Sequence, residues 1–229
     1  MNSFIRRLAA FAAVALLLPC LLIACSKNPP ALTFSDGAFR SRDGKLAYVE
    51  APATYYAIRL GDVQAVITRG ELGDIPLYTV VGYGNDYLAD QDLKLYAAEG
   101  VTLPTLDRLG AVQITLYDYT ENRIQHSPMA TLTDTAKVAD LVRIATEGEK
   151  ISADAVAADY NVRRELLFLS DSEAGFGIML EYRKFPSDVN GYGTNFIYDR
   201  DTKCYTPVGD TLERYFIGEE TPETGTSAD

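Results

Sequence analysis

The strongest constraint in this chain is the one-for-one alternation of apolar residues with polar or smaller ones, a period that admits strands and little else. Tyr56, Ile58 and Leu60 alternate with Tyr55, Ala57 and Arg59, and Val63, Ala65 and Ile67 resume the pattern after Gly61-Asp62. A period of two sends successive side chains to opposite faces of a sheet. The two runs therefore predict a hairpin whose two-residue turn is Gly61-Asp62. Leu77 to Val81 reads as another strand, with a partner around Tyr87 to Ala89, and no helix of ordinary length is expected before about residue 105.

The second half opens with a strand that places Val112, Ile114 and Leu116 on one face. A helix follows: Asp134 is suited to its N-cap, and Val138, Leu141, Val142 and Ala145 fall at helical spacing before a stop at Gly148. A second, shorter helix is expected from Ser152, with Ile151 and Val156 stapling its first turn. Strands return at Glu165–Leu169, Phe176–Arg183, Thr194–Tyr198 and Lys203–Tyr205.

The halves also echo each other. Residues 82–96 lie on residues 191–205 without a gap, and seven of the fifteen positions are identical, including Gly82, Tyr83 and Gly84 against Gly191, Tyr192 and Gly193. Thr105-Leu106-Asp107-Arg108-Leu109 then resembles Thr211-Leu212-Glu213-Arg214-Tyr215. A repeated supersecondary unit is the reading. The expected fold class is α+β, mainly antiparallel β, as two β-meander modules with one main helix in the second. Its divisions are 1–24 as a signal segment, 25–36 as a tether, 37–110 as the first module, 111–217 as the second and 218–229 as a disordered acidic tail.

The compartment is read from the first residues. Arg6 and Arg7 precede an uncharged stretch from Leu8 to Ala24, the basic and apolar parts of a secretory signal. Leu22-Ile23-Ala24-Cys25 resembles the lipobox of bacterial lipoproteins. That resemblance implies cleavage before Cys25, lipid on its sulfur, and a protein held on the extracytoplasmic side of a bacterial membrane. An uncleaved span is disfavoured, because the apolar run is short and Pro19 interrupts it.

Charge and cysteine usage narrow the partners. Cleavage would remove two positive charges and no acid, taking the net from −11 to −13. Such a chain repels phosphate backbones, which argues against nucleic acid. With Cys20 lost and Cys25 lipidated, Cys204 would stand alone, so stability must come from the core rather than from a disulfide.

Candidate chemistry is thin. His126 is the single histidine and sits in a polar loop sequence, which leaves neither a histidine metal cage nor a convincing base. Cys204 lies on a predicted strand as a small hydrophobe. The acid pairs Asp90/Asp92, Asp199/Asp201 and Asp171/Glu173 fall at turns, where aspartate binds its own backbone. Three Gly-x-Gly runs, at Gly82, Gly175 and Gly191, are flanked by strands and none opens a helix as a phosphate cradle must. No catalytic residue, metal site or cofactor is assigned. Fifteen tyrosines and nine phenylalanines without tryptophan are the most distinctive content, with Tyr83, Tyr87, Tyr192 and Phe196 at matching places.

Three functions follow as expectations. The first is a membrane-anchored, non-enzymatic accessory lipoprotein whose sheet faces or edges engage an envelope protein. The second is a cell-wall or glycan-binding module built on tyrosine faces. The third is a hydrolase using two carboxylates in a cleft.

Overall fold

The computed structural model describes residues 28–119, 128–156, 159–171 and 173–216. The first half supplies β1 (Ala31–Ser35), β2 (Ala38–Ser41), β3 (Ala47–Glu50), β4 (Tyr55–Ala57), β5 (Leu60–Thr68), β6 (Asp74–Val80), β7 (Tyr87–Ala89) and β8 (Leu95–Ala98). Seven of these close into a barrel in the order β1-β2-β3-β8-β7-β6-β5. The closing seam is parallel, Ala31 against Val66 and Leu32 against Ile67, with Val66 N donating to Pro30 O at 3.0 Å. Leu32, Tyr48, Ala65, Ile67, Leu77, Leu88 and Tyr96 fill the interior. Closure removes the exposed edges that an open meander would carry.

Three expectations are corrected here. The first half is a closed barrel rather than an open meander. The stretch assigned to a tether, 25–36, includes Ala31–Ser35, which is β1 and makes the closing seam. Leu32 is fully buried and anchors it, while Phe34, the next apolar residue of the same alternation, is 67% exposed. Gly61-Asp62 is not a turn: β5 runs through both residues with a bulge, and pairs with β6. A Cβ at Gly61 would come within 2.4 Å of Thr79 Oγ1, so this glycine admits a close strand approach rather than a reversal.

The second half builds β9 (Gln113–Asp118), β10 (Ala130–Leu132), α1 (Thr135–Glu147), β11 (Ile151–Ser152), β12 (Val162–Leu169), β13 (Phe176–Lys184), β14 (Asn195–Asp199), β15 (Cys204–Pro207) and α2 (Thr211–Phe216). The α+β class with one main helix holds. Asp134 caps α1, its carboxylate accepting from the N–H groups of Ala136 and Lys137 at 3.0 Å, and Val138, Leu141 and Ala145 are buried. The helix expected from Ser152 is a single 3-10 turn, Ala153–Ala155. The sheet runs β10-β9-β12-β13-β14-β15-β11, with β4 added beside β13. Among the described residues no helix is long and apolar enough to cross a membrane.

The related stretches 82–96 and 191–205 both form hairpins with an aspartate at the turn. Asp90 Oδ1 accepts from the N–H groups of Asp92 and Lys94, and Asp199 Oδ1 from those of Asp201 and Thr202. The sheets that receive the two hairpins differ, one a closed barrel and the other an open sheet.

Barrel and sheet share their largest core. Ala57, Val80, Tyr87, Leu95 and Ala97 pack with Ile114, Leu116, Leu141, Leu166, Phe168, Ile178 and Leu180 in one cluster. Strand β4 crosses from the first half to pair with β13 through Ala57–Phe176 and Tyr55–Ile178. At this junction Gly175 O accepts from Ile58 N at 2.7 Å, and a Cβ on Gly175 would lie 2.0 Å from Val81 O. Gly175→Ala must therefore push barrel and sheet apart, at a cost of about 1–3 kcal/mol. Urea denaturation should show a lower midpoint with an unchanged slope; an unchanged midpoint would mean that the two layers do not meet at this residue.

Candidate functional site

Strands β12 and β13 carry mirror-image patterns, Arg163-x-Glu165 and Glu181-x-Arg183, and their antiparallel register sets Arg163 opposite Arg183 and Glu165 opposite Glu181. Neighbouring strands extend the second pair into a row. Tyr117 faces Glu165, Tyr198 faces Glu181, and Tyr205 faces Tyr198. The row crosses five strands on the face turned away from α1.

Both glutamates are buried, Glu181 at 0% exposure and Glu165 at 2%. Three arginines surround them. Arg163 Nη2 donates to Glu181 Oε1 at 2.5 Å, while Arg183 donates to Glu181 Oε2 through Nε at 2.8 Å and Nη2 at 2.7 Å. Arg200, brought over by the β14–β15 turn, donates through Nε to Glu181 Oε1, through Nη2 to Glu165 at 2.9 Å and through Nη1 to the Tyr56 hydroxyl at 3.0 Å. Arg183 Nη1 donates to the Tyr205 hydroxyl at 2.6 Å. Rings complete the packing: the Arg163 guanidinium lies 3.5 Å from the centroid of Tyr119, and that of Arg183 lies 3.7 Å from Tyr198 and 4.5 Å from Tyr160. Apolar groups flank this strip, Leu167, Leu169 and Met179 on one side and Phe185, Phe196 and Ile151 on the other.

Burial pushes the Glu181 carboxyl up, but hydrogen bonds from Arg163 and Arg183, together with the Arg200 charge, outweigh it and hold the group below its ordinary range. A carboxyl so held stays ionised and is no general acid.

A cleft of about 650 Å³ lies on the opposite face of the same sheet, floored by Ile178, Leu180 and Ile197 and bordered by Asp199, Asp201, Lys150 and Cys204. Its polar groups are engaged in holding the fold. Asp201 accepts from Ala53 N at 2.7 Å and from Thr54 N at 3.1 Å, and Asp199 closes its own turn. Lys150 Nζ donates to Ala145 O at the end of α1 and to Thr206 Oγ1, and burial lowers its pKa. The Cys204 thiol rests on Thr202 O at 3.4 Å. Asp199 and Asp201 thus sit in a cleft, as the hydrolase expectation requires, but as turn and loop acceptors.

The other expected positions are dispersed. Tyr83 and Tyr87 pack on Phe176 at centroid distances of 4.7 and 5.0 Å, Phe196 is fully buried, and Tyr192 bonds Glu149 at the surface. The matching aromatics therefore do not assemble into a platform. Gly82, Gly84, Gly191 and Gly193 take positive φ, while Gly175 and Gly177 allow close packing. Among the described residues no group of three or more potential metal ligands forms. His126, Cys25 and the signal segment lie outside the described residues. The Arg–Glu–Tyr strip was missed in the sequence, although charged residues at i and i+2 within otherwise apolar strands were its visible sign. Comparison with protein-family models, curated proteins and solved structures gives no match.

The strip sets a pH signature. Because the folded pKa of Glu181 is depressed, the stability it contributes is present above its ordinary value of 4.5 and is lost as pH falls through the lower folded value. Stability should therefore decline below about pH 4.5. Glu181→Gln should flatten this part of the decline and, by leaving three guanidiniums short of a counter-charge, cost about 3–5 kcal/mol at neutral pH. Denaturation curves across pH check both; equal acid sensitivity in the variant would remove Glu181 from the account.

Proposed function

We propose that this chain is a lipid-anchored extracytoplasmic lipoprotein that acts as a non-enzymatic accessory subunit, engaging a second envelope protein through the Arg–Tyr strip of its large sheet. The lipobox-like Leu22-Ile23-Ala24-Cys25 supports the anchor. The observation that carries the binding reading is the strip itself. Tyrosine and arginine are the residues in which protein contact surfaces concentrate binding energy, and here three guanidiniums and their rings are already fixed in place. A buried ion cluster contributes little to stability compared with apolar packing of the same volume. Stability alone therefore does not account for keeping five charged side chains in the middle of a sheet.

Contact through a face is favoured over strand addition at an edge. The outer strands of the sheet, β10 and β11, have three and two residues, too short to template a long added strand.

Two measurements test the reading. Cys25→Ala should move the protein from the membrane fraction to the soluble extracytoplasmic fraction; retention in the membrane would defeat the anchor. Crosslinking in intact host cells, followed by mass spectrometry, should return one reproducible envelope protein, and Arg200→Met should reduce its yield by at least about tenfold if the strip is the contact, the loss of one central arginine reaching several kcal/mol in such surfaces. Recovery of glycan alone would overturn the protein-partner reading.

A further inference from the structure

The cleft on the helix side of the large sheet has a floor set by strand register. Tyr55 lies opposite Ile178 across β4 and β13, while Ile197 lies opposite Thr206 and Asp199 opposite Cys204 across β14 and β15. Ile197 and Asp199, two apart on β14, share a face, so the apolar floor runs directly into a carboxylate. At about 650 Å³ the cleft falls within the roughly 300–1,000 Å³ of small-molecule sites, which combine apolar walls with a few placed polar groups.

The charged groups of the cleft differ in what they still offer. Asp201 spends both oxygens, on Ala53 N, Thr54 N and the Thr54 hydroxyl. Lys150 is drawn to the wall by Ala145 O and Thr206 Oγ1. Asp199 holds its turn through Oδ1 alone, and among the described residues its Oδ2 accepts no hydrogen bond. Three acids, Asp107, Asp199 and Asp201, and one lysine line the cleft among the described residues. Their field reaches the floor: burial raises the pKa of the Tyr55 hydroxyl, and the charges of Asp201 and Asp199 raise it further.

From this arrangement we infer that the cleft binds a small organic cation, an ammonium group carried on an apolar body, with the charge at Asp199 Oδ2 and the body on Ile178, Leu180 and Ile197. An anion would meet net negative charge here, in a chain whose formal net charge is −11. A wholly apolar molecule would take Asp199 out of water without giving its open oxygen a partner. The inference stands apart from the protein-contact reading, because the cleft and the Arg–Tyr strip occupy opposite faces of the sheet.

The test uses phenethylamine, 2-phenylethanol and 3-phenylpropanoate, which carry different charge at the end of one body. The full chain in detergent, ¹³C-labelled at its isoleucine methyls, is titrated with each at neutral pH and constant ionic strength. Phenethylamine should move the Ile178 and Ile197 signals, assigned by their loss in Ile178→Val and Ile197→Val, along a saturating curve. It should bind at least about fivefold more tightly than 3-phenylpropanoate. Asp199→Asn separates charge from fold, since the amide oxygen can still accept from Asp201 N and Thr202 N. This variant should bind phenethylamine at least about fivefold more weakly and 2-phenylethanol within about twofold of the parent. Partition into detergent is common to both chains and cancels in the comparison. Floor signals that stay still or drift linearly with phenethylamine overturn the inference, as does equal or tighter binding of 3-phenylpropanoate. Unchanged phenethylamine affinity in Asp199→Asn overturns the placing of the charge. The charge series on the parent chain decides the ligand class by itself, whether or not the variant folds.

Discussion

A single carboxylate organises the face of the large sheet that the helices leave uncovered. Glu181 has no exposed surface and accepts from three guanidiniums that arrive from β12, from β13 and from the β14–β15 turn. Taking a carboxylate out of water costs several kcal/mol unless its oxygens are satisfied. The requirement is reciprocal, since each arginine is also too buried to go without an acceptor. Strand register, the position of the Arg200 turn and the orientation of Tyr56, Tyr198 and Tyr205 are all tied to that one group. A slip of one residue between β12 and β13 would turn every charge on this face into the apolar core on the other.

Local signals in the sequence located part of the elements and did not reveal closure. Alternation located β6, β7, β9 and the strands from β12 to β15 to within a few residues, and Asp134 announced α1 because capping is chemistry within three residues. Nothing local in Ala31–Ser35 tells that it pairs in parallel with Val66 and Ile67, more than thirty residues on. Gly61-Asp62 misled for a related reason. Glycine serves both reversal and close approach, and only the position of Thr79 on the neighbouring strand decides between them.

The same limit hid the candidate site. Arg163, Glu165, Glu181, Arg183 and Arg200 are spread over nearly forty positions, and their meeting is a property of antiparallel register. Two of the clues were nonetheless present. A charge pair at i and i+2 points to one face of a strand, and the inverted order of the second pair is what an antiparallel neighbour needs for complementary contact. The tyrosines were noticed but at the wrong positions. Tyr83 and Tyr87 serve the hairpin and its packing on Phe176, whereas Tyr119 and Tyr160, outside the aligned stretches, and Tyr198, which aligns with Ala89, lie against the arginines.

The two faces of the sheet use their charged groups differently. On the helix side, the cleft has volume but its acids and its lysine are committed to turns, to the 53–54 loop and to the end of α1. On the other side, rings are held partly exposed beside fixed charges. Volume favours a small molecule, whereas a rigid, laterally extended strip suits the broad partner surface proposed for it. On the proposed anchoring, Cys25 stands six residues before β1, a reach of about 20 Å when extended. That distance confines the protein to the neighbourhood of the membrane, where a partner held in the same bilayer is met at high effective concentration, and a contact of modest intrinsic affinity is enough to keep the two together.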